Sequence, residues 1–249
     1  MGASRSADLV EQWGPREAGR VASLSLRGLG VGCAPVVADD APSADAPRRV
    51  TRYERFGKPV IDRVFAVVLL VATAPVMLLV AVAVWFSLGR PILFRQTRVG
   101  RDGRLFPLHK FRTMDADRRH SSVGYTADRD RRRTHKHPND PRLSDVGRTL
   151  RKWSLDELPQ LWDVVTGRLS LVGPRPELTS IVSKYEPWQH ARHAVKPGLT
   201  GLWQVTARGN GPMFEHTDLD IEYAQRVTLR RDLKILLLTI PAVLAHTGY

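Results

Sequence analysis

At 249 residues and 43% apolar side chains, the chain is long enough for one large domain or two small ones with a sizeable core. Its 38 Lys and Arg against 25 Asp and Glu leave a net charge of +13, and Arg90 to Lys152 alone holds 18 basic and 7 acidic residues. Such a block attracts nucleic acid, anionic lipid head groups or phosphorylated small molecules without choosing among them, while the single cysteine, Cys33, excludes an internal disulfide and a cysteine-rich zinc site.

Residues 1–50, rich in Ala, Gly, Ser, Pro and Arg and without helical or strand period, read as a disordered tail. No apolar core of signal-peptide length lies near Met1. From Val64 to Leu88 runs a stretch of 25 residues without a charge, which meets the length of a membrane helix. A buried core helix rarely runs so far without a polar face. Arg48, Arg49, Arg52, Arg55, Lys58 and Arg63 precede the stretch, and Arg90, Arg95, Arg98, Arg101 and Arg104 follow it. The positive-inside rule therefore places both ends in the cytoplasm. Pro75, near the midpoint, removes a backbone hydrogen bond and crowds the preceding turn. A helix-break-helix that enters and leaves by the same face reconciles both flanks. A kinked spanning helix is the alternative.

Ile92–Phe111 reads as a hairpin with Gly100–Gly103 at its turn, and 116–142 as a charged loop. Helices are expected at 145–152, 155–167, 177–193 and 214–228. From Asp232 to Ala245, Leu233, Leu236, Leu237, Ile240 and Leu244 form a helical stripe, suited to lipid head groups or to the core. The domains expected are a tail (1–50), a membrane-embedded segment (51–90) and a cytosolic domain (91–249).

The chemistry concentrates in Arg151-Lys-Trp-Ser-Leu-Asp-Glu-Leu-Pro-Gln160. Ser154 and Glu157 have the spacing of a capping box, although Pro159 moves the helix proper toward itself. Both versions set Asp156 and Glu157 at a helix start, beside Arg151 and Lys152. Two adjacent carboxylates there can bind a divalent metal, or act as nucleophile and partner. A capped helix with first-turn acids is the plain alternative. In Leu171-Val-Gly-Pro-Arg-Pro-Glu177, two prolines stiffen the backbone around Arg175, a good phosphate ligand. Lys196-Pro-Gly-Leu-Thr-Gly-Leu-Trp-Gln204 adds a lysine and Gln204 in a turn-rich run, and Arg208 follows. Lys110 and Arg112 end the hairpin.

Together and in order these segments resemble the bacterial sugar transferases, the polyprenyl-phosphate sugar-1-phosphate transferases. The resemblance covers Lys58 to the C-terminus. It includes Ile61-Asp-Arg63, Phe94-Arg-Gln-Thr-Arg-Val-Gly100, Lys110-Phe-Arg-Thr-Met114, Asn139-Asp-Pro-Arg142, Asp156-Glu-Leu-Pro-Gln160 and Asp232-Leu-Lys234. It implies transfer of a sugar-1-phosphate from a nucleotide-sugar donor to a membrane polyprenyl phosphate, with Asp156 and Glu157 as catalytic dyad and ligands of a required Mg2+. Asp156 would be the nucleophile, and Lys110, Arg112, Arg151, Arg175, Lys196, Gln204 and Arg208 the substrate and phosphate ligands. The implied fold is mainly α with a short β-hairpin. In it a re-entrant membrane helix-break-helix, with Pro75 at the break, carries a compact cytosolic domain bearing amphipathic surface helices. The implied place is the bacterial inner membrane, catalytic domain on the cytoplasmic face, in the short form without further membrane helices. Arg131-Arg-Arg133 and His135-Lys-His137 match no part of the pattern and read as a solvated loop. A membrane-tethered nucleic-acid binder predicts steep salt dependence and no role for Asp156. No nucleic-acid fold signature supports it, and no nucleic-acid partner is expected. A scaffold without catalysis leaves Asp156, Glu157 and Arg175 without purpose. The sugar, the nucleotide and the oligomeric state stay open.

Overall fold

The computed structural model describes residues 48–115, 142–207 and 216–244. Most of the expected tail, residues 1–47, lies outside them, as do the expected loop through residue 141 and Arg208. Arg48 is anchored: its Nε donates to the Ala224 carbonyl at 2.7 Å, and its guanidinium pairs with Glu54. Of the segment expected as tail, Arg48 is thus held by two partners.

The uncharged stretch folds as helix α1 (Lys58–Leu88), led in by a π-helical turn at Tyr53–Gly57. Pro59 is the second residue of α1. The expected break is not an end of the element: α1 continues through Pro75 and stops at Gly89, whose φ of +68° suits a glycine cap. Tyr53–Leu88 is the one helix among the described residues long and apolar enough to cross a membrane. Its buried side chains, Lys58, Asp62, Ala66, Val80 and Val84, trace a single stripe at helical spacing. Outside that stripe, Phe65, Val68, Val71, Leu78, Leu79 and Phe86 are exposed.

The expected hairpin forms as β1 (Leu93–Val99) and β2 (Leu105–Phe111), antiparallel, joined by a turn at Arg101–Gly103. The sheet has a third strand that the period did not reveal, β4 (Glu177–Leu178), paired with Arg98 and Val99. A second sheet pairs β3 (Ser170–Val172) with β5 (Gly198–Thr200) in parallel. Two motifs distant in sequence thus lie backbone to backbone. A Cβ on Gly198 would fall 2.1 Å from the Gly173 nitrogen, and one on Gly173 would fall 2.4 Å from the Lys196 carbonyl oxygen. Only glycine permits that approach.

Helix α2 (Asp145–Lys152) matches its expected bounds and is capped by Ser144, whose Oγ accepts from the Gly147 N–H at 2.9 Å. The helix expected at 155–167 divides into a 3-10 turn, Leu155–Glu157, and α3 (Gln160–Val165) with Pro159 as its cap. The capping box expected at Ser154 does not form. Ser154 takes a left-handed conformation (φ 54°), and the Glu157 side chain turns to Arg175. The helix expected at 177–193 is instead β4, then α4 (Thr179–Val182), then a 3-10 segment, Pro187–Ala194. Pro187 offers no N–H and crowds the carbonyl one turn back, and Glu186 with Gln189 forms a capping box there. Short α5 (Leu202–Thr206), α6 (Thr217–Gln225) and α7 (Leu229–Leu244) complete the chain. The fold is mainly helical with small sheets.

Two apolar clusters hold it together. The larger joins Ala66 of α1 to Phe106 and Leu108 of β2, Leu161 and Val164 of α3, β3, and Tyr223 and Ile235. In the smaller, Val80 and Val84 of α1 meet Phe111 and Leu150, with Leu155 and Leu158 packed against them. Both halves of α1 are therefore walls of the same domain. Helix α7 buries Asp232 and Ile235, while Leu229, Leu233, Leu237, Ile240 and Leu244 lie exposed along it.

Candidate active site

Asp156 and Glu157 occupy the 3-10 turn between α2 and α3. The turn is fixed by its apolar flanks, because Leu155 and Leu158 both pack on the cluster that contains Val80 and Val84. Asp156 is buried and Glu157 half-buried. Glu157 accepts from Arg175 Nη2 at 2.5 Å. That pair holds the Arg175 guanidinium above its ordinary pKa against the opposing effect of burial. The backbone of Arg175 is positioned separately. Its carbonyl accepts from Arg192 at 2.7 Å, and buried Arg192 is paired with Asp220 and bonded to the Tyr185 hydroxyl. The two prolines and this buried arginine are why Arg175 can face the turn.

Lys110 arrives on β2. Burial lowers its ammonium to about 8, although Asp156 pulls the other way, and Arg151 and Arg98 add to the lowering. Across the hairpin, Lys110 lies over the ring of its strand partner Phe94 at 5.4 Å. Strand β2 is fastened to α3 by Asp163, which accepts from the His109 N–H at 2.9 Å and meets the His109 ring at 2.8 Å. Arg151, in the last turn of α2, donates from Nε to Thr113 at 3.1 Å. Helix α2 can lie against Thr113 because Gly147 has no Cβ; one there would fall 2.1 Å from the Thr113 carbonyl oxygen.

Lys110, Arg151, Asp156, Glu157 and Arg175 thus form one electrostatic group. Arg98, which motif reasoning quoted without assigning a role, joins them. Its guanidinium is lowered to about 10 by burial and interacts with Glu177, Arg175 and Glu157. Its place depends on β1 pairing with β4, which sets Arg98 opposite Leu178 and Val99 opposite Glu177, a contact 78 to 80 residues apart in sequence that no local pattern announces. Other expected ligands stand elsewhere. Arg112 donates to the carbonyls of Arg90 and Met114, tying the end of β2 to the exit of α1. Gln204 is buried on α5, its amide nitrogen near the Leu199 carbonyl at 3.4 Å and its Oε1 without a hydrogen-bond partner. Lys196 faces a different cavity, with Arg63 and Asp62 as neighbours.

No cluster of three or more His, Cys, Asp or Glu side chains gathers among the described residues. A closed protein cage for a metal is therefore not built there. Magnesium needs no such cage, because it takes one or two carboxylates and fills its remaining positions with water and substrate phosphate; Asp156 and Glu157 are the residues of this group that could supply them. The surrounding cations suit the phosphate oxygens, not the metal.

Residues 53–246 match the family described as bacterial sugar transferase. The uncharacterized sugar transferase EpsL of Bacillus subtilis is 39% identical over 191 residues, covering 77% of this chain and 89% of that protein. The UDP-glucose:undecaprenyl-phosphate glucose-1-phosphate transferase of Caulobacter vibrioides is 42% identical over 195 residues, 75% of this chain and 69% of that protein. The galactosyl transferase CpsE of Streptococcus agalactiae is 40% identical over 162 residues, 64% of this chain. The chain spans 36% of the length of that last relative.

Proposed function

The chain belongs to the bacterial sugar transferase family, and from that premise we propose that it moves a sugar-1-phosphate from a nucleotide sugar to a membrane polyprenyl phosphate. The product is a polyprenyl-diphosphate sugar, the first lipid intermediate of a cell-surface glycan. The UDP-glucose and undecaprenyl phosphate in the name of the Caulobacter relative make a UDP-sugar and undecaprenyl phosphate the first pair to test. One observation carries the reading: two adjacent carboxylates, ringed by Lys110, Arg151 and Arg175, sit on a turn packed directly against the long apolar helix.

The chain's own residues divide the work. Arg175, Arg151 and Lys110 hold phosphate oxygens and neutralise their charge, which is most of what phosphoryl transfer asks of a protein. Asp156 and Glu157 would hold magnesium, which supplies charge compensation to the diphosphate. A carboxylate oxygen of Asp156 attacks the phosphorus that bears the sugar. The bond from that phosphorus to the nucleoside monophosphate oxygen breaks, and the monophosphate leaves with the electron pair. An oxygen of the polyprenyl phosphate then attacks the same phosphorus and returns the Asp156 carboxylate.

For the membrane, the reading is a monotopic anchor (51–90), both flanks cytoplasmic, with 91–249 as the cytosolic domain. Support comes from the cationic flanks and from α1 itself, whose two halves pack on the same domain. A helix that crossed the bilayer would carry one of those contacts away from the cytoplasm. The exposed apolar stripe of α7 fits a helix resting on lipid head groups.

The test is exchange without acceptor. Full-length protein given donor and magnesium should gain one sugar phosphate in mass and exchange labelled nucleoside monophosphate into the donor. Asp156→Asn should abolish both. Normal turnover without exchange would replace the covalent scheme by in-line transfer between bound substrates.

A further inference from the structure

A second cationic site lies away from the dyad. A cavity of about 500 Å3 opens at the root of α1 and is lined by Arg55, Lys58, Arg63, Arg101 and Lys196, with Asp62 between them. None of Lys110, Arg151, Asp156, Glu157 or Arg175 lines it.

Its charges do not cancel. Lys58 is neutralised by Asp232 at 2.6 Å and by Asp62 at 3.6 Å, and Asp62 also accepts from the Ser170 hydroxyl at 2.6 Å. Glu54, the other acid in the wall, is paired with Arg48. Among the described residues Arg101 pairs with its exposed neighbour Asp102 alone, at 3.4 Å. Arg55 has the Phe56 ring at 5.2 Å, and among the described residues no carboxylate lies within ion-pair distance of Arg55, Arg63 or Lys196. Burial lowers the Lys196 ammonium, and Arg63 is the next largest cause; Asp62 opposes them, while Arg101 and Lys58 add to the lowering. Positive charge is thus gathered in a half-enclosed space, which is what an anion would relieve.

The positions are built. Arg63 lies over the bare backbone of Gly167, where a Cβ would fall 2.8 Å from its Nη2. Gly167 has a φ of +78°, a left-handed conformation that keeps a side chain off that spot. Val50, Pro59, Val164, Val195 and Val227 give it apolar wall as well, beside Ser170 and Tyr223. Arg63 is also the last charge before the 25 uncharged residues of α1. The cavity therefore stands where the apolar helix begins, cationic within and apolar at its walls.

We propose that this cavity binds the phosphate head group of a membrane amphiphile, as a site separate from the dyad, with Arg55, Arg63 and Lys196 as its ligands. Only its location at the bilayer surface rests on the membrane reading above. The head group has two sources of one chemistry, the polyprenyl phosphate acceptor and an acidic phospholipid.

Protection of Lys196 from an amine-acylating reagent, read by peptide mass spectrometry on the full chain in detergent, tests the site. Farnesyl phosphate, dihexanoyl-phosphatidylglycerol, inorganic phosphate and dihexanoyl-phosphatidylcholine are the probes. Protection by farnesyl phosphate assigns the acceptor, and protection by the glycerol lipid assigns an acidic phospholipid. Arg63→Gln and Arg55→Gln should each raise the half-protecting concentration about tenfold, the loss of one charge-assisted bond. Asp156→Asn should leave protection intact. Equal protection by phosphatidylcholine, or protection by neither anionic lipid, overturns the site. Inorganic phosphate protecting at the same concentration as the lipids overturns the amphiphile. Protection relieved by Asp156→Asn but not by Arg63→Gln moves the ligand to the dyad. Transfer measured on the same samples separates the two readings: protection with no transfer in the native chain faults the enzyme assignment alone, and transfer without protection faults this site alone.

Discussion

Lys110→Met tests the electrostatics of the dyad on two independent axes. The substitution keeps an unbranched, apolar stem on β2 and removes the charge. Burial holds the native ammonium at about 8, well under the ordinary lysine value of 10.5. Keeping it protonated in the folded chain at neutral pH costs on the order of 3 kcal/mol. The variant also loses the contact with the Phe94 ring, about 0.5–1 kcal/mol. The net expectation is a protein more stable by about 2 kcal/mol, or roughly 4–8 °C in Tm for a domain of this size. The gap has a defined pH course. Below pH 8 the lysine is charged in both folded and unfolded chains and the penalty is full. Between about 8 and 10.5 the folded chain releases its proton first, so native stability rises with pH and the gap closes. Transfer should move the other way, falling by about 100-fold as one cation leaves the phosphate site. Thermal unfolding of the full chain in detergent at pH 7 and pH 10, with a transfer assay at pH 7, reads both. A variant no more stable than the native chain at pH 7, with normal transfer, refutes the reasoning.

Arg175→Gln and Arg112→Gln should separate chemistry from scaffold. The first breaks the pair with Glu157 and should cut transfer by about 100-fold; the second loses bonds to the Arg90 and Met114 carbonyls and should cost about 1–2 kcal/mol of stability with transfer within tenfold. Initial rates and thermal unfolding of both variants check this. Removal of residues 1–47 should leave transfer unchanged, whereas removal through residue 50 also takes Arg48 from Ala224 and Glu54 and should lower Tm. Single cysteines at the exposed positions Arg52 and Arg104, in a Cys33→Ser background, should both resist an impermeant thiol reagent on intact cells. Labelling of one alone would mean that α1 crosses the bilayer.

Helices whose signal is local were legible in the sequence: α1 from its uncharged run and α7 from its stripe, with α2 expected at its observed bounds. The hairpin was legible from its turn. Strands β3, β4 and β5 are two or three residues long and gain their identity from partners 28 to 80 positions away, as in Ser170 with Gly198 and Arg98 with Leu178. A window along the chain holds no trace of such pairing. Pro187, visible in the sequence, should have ended the expected helix over 177–193, since its ring cannot follow a helical turn. At the site the dyad and Arg175 were legible as types in order. Arg98 was not, because its place comes from the sheet. Lys196 and Arg112 stand apart from the dyad: Lys196 lines the cavity at the root of α1, and Arg112 bonds the Arg90 and Met114 carbonyls, positions that their motifs alone did not separate.

The dyad turn also explains why membrane helix and chemistry share one domain. Pro159 cannot sit inside a helix running from 155 without losing a bond, so the chain takes one 3-10 turn and restarts at Gln160. A lone turn has too few internal bonds to hold two carboxylates against repulsion and burial. What fixes it is external: Leu155 and Leu158 on either side, packed on Val80 and Val84 of α1. The other half of α1 meets the larger core through Ala66 and joins the cationic cavity through Lys58, Asp62 and Arg63. One face of a single helix therefore supports the carboxylates near its C-terminal half and the cations near its N-terminal end. Any tilt or depth the helix takes in lipid is transmitted to both by packing alone. On the proposed membrane reading, an enzyme whose acceptor is held in the bilayer needs its catalytic groups at a set height, and α1 would supply that reference.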